Sequence, residues 1–226
     1  KYFFFFVFPY LRYLLFIFSM AFNQRSWYRL LFRTSHKILL ETCLSKYFHL
    51  VNGATLVLGA GFESYRDVLP SASSIILTDI DRSYQDHLDK VVDAHHITYP
   101  DSTFDSVIAI EVFEHLSDPA LASSEIFRIL NTTGLCLISI PFMFRIHGDP
   151  YDFQRFTHSG IENLFREFRI VSVVPFGNRL HVIYDLLTTS FKLFVPFRIF
   201  NWLITLPPFS RPSLDCPSGY IVLLRK

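Results

Sequence analysis

The run Thr55-Leu56-Val57-Leu58 leads straight into Gly59-Ala60-Gly61, and a second run, Ile75 to Thr78, ends in Asp79. A short apolar run closed by a glycine pair reads as a buried strand ending in a sharp turn, because glycine takes left-handed backbone without a Cβ clash. An acid at the end of the next strand, about 20 residues on, completes the unit that open α/β sheets use to hold nucleotides at the carboxyl ends of their strands. Either piece alone is weak, since glycine pairs make ordinary turns and strand-end acids cap helices. Together they narrow the fold to an α/β domain with a mostly parallel sheet.

The rest of the chain continues the alternation. A short third strand ends near Asp93, and a fourth covers Ser106 to Ile110. A helix from about Pro119 to Leu130 carries Leu121, Ile126, Ile129 and Leu130 on its apolar face. Asn131-Thr132-Thr133-Gly134 reads as a turn into a fifth strand, Leu135 to Ile140. A helix near Ser159 to Phe168, a sixth strand from Ile170 to Val174 and a last strand from Tyr220 to Leu224 make the sheet seven-stranded and Rossmann-like. A helix starting just after Gly61 is expected, with its free amides aimed at a ligand.

The two ends are greasier than this core. Phenylalanine occurs 26 times, with many copies before residue 23 and between Phe191 and Phe209. Residues 1–22 are long enough for a membrane span, although Pro9 interrupts them and Arg12 would cost roughly 2.5–3.5 kcal/mol near the bilayer centre. The chain begins with Lys1, its first methionine is Met20, and the composition before it resembles translated AT-rich DNA. A membrane anchor and an extension foreign to the protein therefore stand as equal readings. Residues 23–52 read as an amphipathic helix leading into a domain at 53–226. Within that domain, 180–209 reads as a helical insertion of two short amphipathic helices split at Pro196. It forms either a cap over the site or an interfacial membrane contact with Phe197, Phe200 and Trp202 at headgroup depth.

Net charge is +1, so no basic field recruits nucleic acid, and none is expected as a partner. Cys43, Cys136 and Cys216 are far apart, without metal-ligand spacing, so neither a disulfide framework nor a metal is expected. A reducing, cytoplasmic setting follows by default, with the inner membrane face as the variant that the apolar ends allow.

Phe104-Asp105, then Glu111-Val112-Phe113-Glu114-His115 followed by Asp118-Pro119, then Arg128 to Gly134 and Ile138 to Pro141 occur in one fixed order. This set resembles the class I methyltransferases that use S-adenosylmethionine (SAM), in the quinone-biosynthesis-like, type 11 branch. The resemblance spans roughly Ala54 to Phe176 and again Gly219 to Lys226. It implies SAM as cofactor, held by Gly59, Ala60, Gly61, Asp79, Ile80, Asp93, Ala94 and Glu111. Asp79 would take the ribose hydroxyls and Asp93 the adenine amino group. The segment Arg145 to Phe165 resembles a subset often found near polysaccharide or lipid-glycan genes, and implies an acceptor site after the fifth strand. His147 is the first candidate for a base and His115 the second. Asp149, Asp152 and Arg155 are candidate substrate-binding residues, with a structural ion pair and helix capping by Thr157 or Ser159 as the competing role.

Two positions depart from the resembling pattern. Val57 stands where an acid is usual two residues before the first glycine, and Glu63 stands where glycine is frequent. A carboxylate at 63 would repel SAM's own unless it turned away or held the ammonium group. The expected function is methyl transfer to a small-molecule, glycan or lipid-linked acceptor. A non-catalytic, membrane-associated relative is one alternative. An NAD(P)-dependent oxidoreductase is another, but Ser64 leaves the glycine motif incomplete and no Tyr-x-x-x-Lys pair follows.

Overall fold

The computed structural model describes residues 33–147 and 151–226. The apolar 1–22 segment, the first part of the expected 23–52 helix and Asp149 lie outside the described residues.

Seven strands form one sheet: β1 (Gly53–Leu58), β2 (Ala72–Asp79), β3 (Lys90–Val91), β4 (Phe104–Ile110), β5 (Leu130–Pro141), β6 (Arg169–Phe176) and β7 (Gly219–Arg225), in the order β3-β2-β1-β4-β5-β7-β6. The five strands from β3 to β5 pair in parallel, and β7 lies antiparallel between β5 and β6. The chain steps outward from β1 to β2 and β3, then returns to lay β4 on the other edge of β1. That reversal opens a crevice at the carboxyl ends of β1 and β4, the usual ligand position in such sheets.

Alternation along the strands supplies two cores. Leu56, Leu58, Val107, Ala109, Cys136 and Ile138 face α2 (Pro119–Ile129) and α3 (His158–Leu164). Val57, Leu77, Ile108, Leu135 and Leu137 face α1 (Ser35–Leu44), through its Leu39, Leu40 and Leu44. The start of α2 follows from its sequence: the Asp118 side chain accepts the Leu121 N–H and Pro119 occupies the first turn. Thr157 caps α3 by accepting the Gly160 N–H at 3.2 Å.

Two matched motif elements are structural. Asp105 accepts the Ala54 N–H at 2.8 Å and the Asn131 side-chain amide at 2.7 Å. A Cβ on Gly53 would sit 2.2 Å from the same carboxylate, so Gly53 must stay bare. Arg128 holds the 97–101 loop through the Ile97 and Tyr99 carbonyls while pairing with Glu125 and Asp101.

Three local expectations are corrected. No helix follows the glycine turn: residues 61–71 form turns and loop. Residues 131–134 are not a free turn before β5 but an irregularity inside it, since Phe104 pairs with Leu130 and Ser106 already with Leu135. The late segment is one α-helix, α4 (Arg179–Ser190), a 3-10 run, Lys192–Phe200, that contains Pro196, and a short α5 (Asn201–Ile204).

Candidate active site

The glycine turn is shaped on both sides. Gly59 has φ +67° and lies under Val112, whose Cγ2 would be 2.5 Å from an added Cβ. Gly61 has φ +53° and nothing within 4 Å of the place a Cβ would take. One glycine is required by packing, and the other leaves a cradle open to a ligand. The Gly61 N–H donates to Asp79 Oδ2 at 2.9 Å and the Asp81 N–H to Oδ1 at 3.0 Å. Each Asp79 oxygen keeps a further acceptor site, as a ribose needs. Ala60 is buried beneath the turn, while Ile80 is 57% exposed beside Asp79, an apolar surface where a purine would rest. Gly59, Ala60, Gly61, Asp79 and Ile80 are the positions expected to meet the adenosine part of SAM, and they lie together around this turn.

The other expected cofactor residues are already engaged. Asp93 Oδ1 accepts the backbone N–H of His95 at 2.8 Å and faces its Nδ1 at 2.7 Å. Partial burial would raise the Asp93 carboxyl, but these His95 contacts hold it below its ordinary value. Its second oxygen is left for an adenine amino group, beside the buried Ala94. Glu111 sits just past β4 in left-handed backbone, φ 56°, a conformation that persists where surroundings enforce it. Ser139 enforces it, accepting the Glu111 N–H at Oγ (3.0 Å) and donating the same hydroxyl to Oε1 (2.8 Å). The other oxygen, Oε2, meets His36 Nε2 at 3.0 Å. Burial would raise the Glu111 carboxyl; the His36 imidazole and the Ser139 hydroxyl bring it below its ordinary value.

Glu63 turns toward α1, where Lys37 Nζ lies 3.3 Å from Oε1. Its charge is answered inside the protein, beside the turn. Val57 is fully buried in the core under α1, so no acid is available at that place.

The segment after β5 comes back over the turn that follows β4. The Phe153 N–H donates to the Glu114 carbonyl at 2.8 Å, and the Gln154 side chain donates to the Leu116 carbonyl at 2.9 Å. Asp152 is buried; it accepts the His147 N–H at 2.9 Å and both terminal nitrogens of Arg155. Burial would raise the Asp152 carboxyl, but Arg155 and the His147 amide hold it at about 2. Arg155 also donates to the Arg145 and Gln154 carbonyls. Asp152 and Arg155 therefore spend most of their bonding capacity latching this strap.

His147, on the strap, comes against His115 with ring centroids 5.1 Å apart, and both adjoin the fully buried Glu114. Burial, and then the charge of Glu111, push the Glu114 carboxyl well above its ordinary value, and burial lowers the His147 imidazole. The cluster starts two residues after Val112, the residue that packs on Gly59, so it borders the glycine turn. It is the one expected base pair plus an acid that the sequence reading passed over, although Glu114 stands in the quoted motif beside His115.

Comparison with known proteins agrees with this geometry. Residues 56–138 match the family model described as a methyltransferase domain. The segment that holds β1, the glycine turn, β2, β4 and most of β5 is thus similar to a methyltransferase domain. A SAM-dependent methyltransferase from Mesorhizobium loti is similar in structure, with TM-score 0.59 and 14% identity over 84% of this chain and 100% of that one. One from Archaeoglobus fulgidus gives 0.57 and 18% over 86% and 96%. The [4+2]-cyclase SpnF gives 0.55 and 18% over 81% and 80%. No curated protein sequence matches the chain. The fold is thus that of the class I, Rossmann-like methyltransferases, and the cofactor such a domain implies is SAM. Because a cyclase shares this fold, the acceptor of this methyltransferase has to be argued from its own residues.

His36, Lys37 and Asp185 shape the methyltransferase site and were not singled out from sequence. The first two lie in a stretch that reads only as an amphipathic helix, and Asp185 lies in the apolar late segment. Among the described residues no helix is long and apolar enough to cross a membrane.

Proposed function

We propose that the protein methylates a hydroxyl of an amphipathic acceptor, a small molecule, glycan or lipid-linked sugar, set against the His147–His115 pair. The observation that carries this reading is the pair's placement: two imidazoles beside the turn that packs on the cofactor's glycine loop. SAM supplies an electrophilic methyl on a sulfonium. The chain's residues then have three tasks. Gly61, Asp79 and Ile80 hold the adenosine. The strap, latched by Asp152 and Arg155, fixes His147 at the acceptor side. The imidazole pair is where the hydroxyl's proton leaves as its oxygen takes the methyl. Asp149, in the same stretch of sequence, and the partly exposed Arg155 are the groups proposed to meet a polar acceptor end.

The apolar late segment supports a lipid-like acceptor or contact with a membrane surface. Ile183, Phe191, Leu193, Phe197 and Leu203 are each between 48% and 79% exposed, a run of exposed apolar side chains within one segment of the kind that marks lipid or partner contact. Its helices pack against α1, and the surface proposal rests on the exposure of these side chains.

The test compares His147→Ala with Arg155→Ala. Methyl transfer lost in His147→Ala, with SAM affinity and melting temperature retained, is the expected outcome. Unfolding of both variants would reduce the strap to a structural latch and remove the acceptor assignment.

A further inference from the structure

Glu114, His115 and His147 converge without bonding to one another. Glu114 Oε1 lies 3.6 Å from His115 Nε2 and 4.0 Å from His147 Nε2, and one donor atom from each residue lies within 4.8 Å of the other two. These gaps are too long for hydrogen bonds. They are longer than the roughly 3.0–3.4 Å at which donors each about 2.1 Å from one metal stand at octahedral or tetrahedral angles, so the three side chains would draw together around a shared ion.

The bonding around the three explains why they are left facing one another. Glu114 is fully buried, and neither of its carboxylate oxygens has a hydrogen-bond partner among the described residues. A buried carboxyl without donor or cation is costly. The neighbouring imidazoles do not supply a donor. His115 meets the Tyr151 carbonyl through Nδ1, and His147 meets the Arg145 carbonyl through Nδ1 at 3.3 Å. A carbonyl only accepts, so each Nδ1 carries a proton; in the neutral ring that leaves the Nε2 lone pair, on the nitrogen near Glu114, free to ligate. Imidazoles that ligate metals are held in this way, with the far N–H given to a carbonyl.

We propose that Glu114, His115 and His147 bind a divalent first-row transition-metal ion. Two imidazoles and one carboxylate, with no thiolate, suit zinc, manganese, iron or cobalt. The spacing of ligands along the chain hides the site from sequence reading, because the third ligand arrives from another segment. The catalytic consequence rests on the acceptor reading given above. Three protein ligands leave further coordination positions that an acceptor hydroxyl could take. With the ion bound, both Nε2 atoms are taken, so the metal replaces the imidazole pair as the group that eases the hydroxyl's proton off: the proton passes to water, and the oxygen lone pair forms the new bond to the methyl carbon as the carbon–sulfur bond breaks.

Binding is tested on the full chain with cobalt(II) alone, in the absence of SAM, by calorimetry and visible absorption. One saturable equivalent is expected, with d–d bands and no thiolate charge-transfer band. His115→Ala, His147→Ala and Glu114→Gln should each weaken it at least about tenfold, while His95→Ala, outside the cluster, should not. Proton NMR of the cobalt-loaded wild type should show two shifted imidazole N–H signals, which needs no variant to fold. Absence of cobalt binding by the wild type, or equal binding by His147→Ala, overturns the proposal. A separate SAM titration without metal reports on the cofactor site, so the two readings fail independently.

Discussion

Asp185, in the middle of α4, accepts the backbone N–H groups of both Ser35 and His36 at 2.8 Å. A residue 149 positions away in the chain thus caps the first turn of α1, together with the Ser35 hydroxyl at 2.8 Å and the local cap Thr34. The consequence reaches the site. His36 is held by this cap, meets Glu111 through Nε2, and packs its ring on Phe144 at 4.6 Å; Phe144 in turn packs on His147 at 5.3 Å. The late helical segment therefore acts on the methyltransferase site through α1.

Removing that cap should loosen α1. Asp185→Ala leaves amide N–H groups of Ser35 and His36 unsatisfied, and should lower stability by about 2 kcal/mol in chemical denaturation. The Leu39–Leu44 packing under the sheet remains, so the protein should still fold. An Asp185→Ala variant as stable as the wild type would show that the cap contributes little.

The two glycines of the turn should fail in different ways. Gly59→Ala drives a methyl into Val112 and should destabilise the fold by about 2 kcal/mol or more, since a core clash adds to the left-handed strain. Gly61→Ala meets open space and should lose only about 1–2 kcal/mol, yet its methyl enters the cradle and should weaken SAM binding strongly. Melting curves and SAM titrations on both variants check the contrast; equal SAM affinity in Gly61→Ala and wild type would move the cofactor elsewhere.

Asp79→Ala removes two things at once: the acceptor that holds the Gly61 and Asp81 amides and the carboxylate that meets the ribose. SAM affinity measured by calorimetry should fall by roughly 1.5–3 kcal/mol. Asp79→Asn, which keeps one acceptor oxygen, should fall between. Unchanged affinity in both removes Asp79 from the site.

The sheet was legible because strand periodicity and the glycine and acid punctuation are local properties of the chain. Val107 and Ile108 read as strand whatever surrounds them. The sharp turn at Gly59 and Gly61 and the placement of Asp79 at a strand end were legible for the same reason. The missing helix after Gly61 was not, because glycine followed by mixed residues looks alike whether a helix or a loop comes next. The pairing of His36 with Glu111, of Lys37 with Glu63, and the burial of Glu114 depend on where α1 and the strap come to lie. No local pattern in a Leu- and Phe-rich segment carries that placement.

Glu111 makes the last prediction, on pH. Its carboxyl is held below its ordinary value by His36 and Ser139 against the opposing effect of burial. The folded protein therefore binds this proton less readily than the unfolded chain, whose glutamates titrate near about 4.3. Stability from this group is present in full above that value and is lost as pH falls through the lower, folded value. Glu111→Gln lacks the titration and leaves His36 without its charged partner, so it should be less stable than the wild type by about 1–3 kcal/mol near neutral pH. The gap should narrow as pH falls below about 4, where the wild-type carboxyl takes up its proton. Urea denaturation of both proteins across pH 3–7 measures the gap directly. A gap of constant size would assign the whole effect to shape and strain at the left-handed residue, and would leave the His36–Glu111 charge contact without a role in holding α1 on the site.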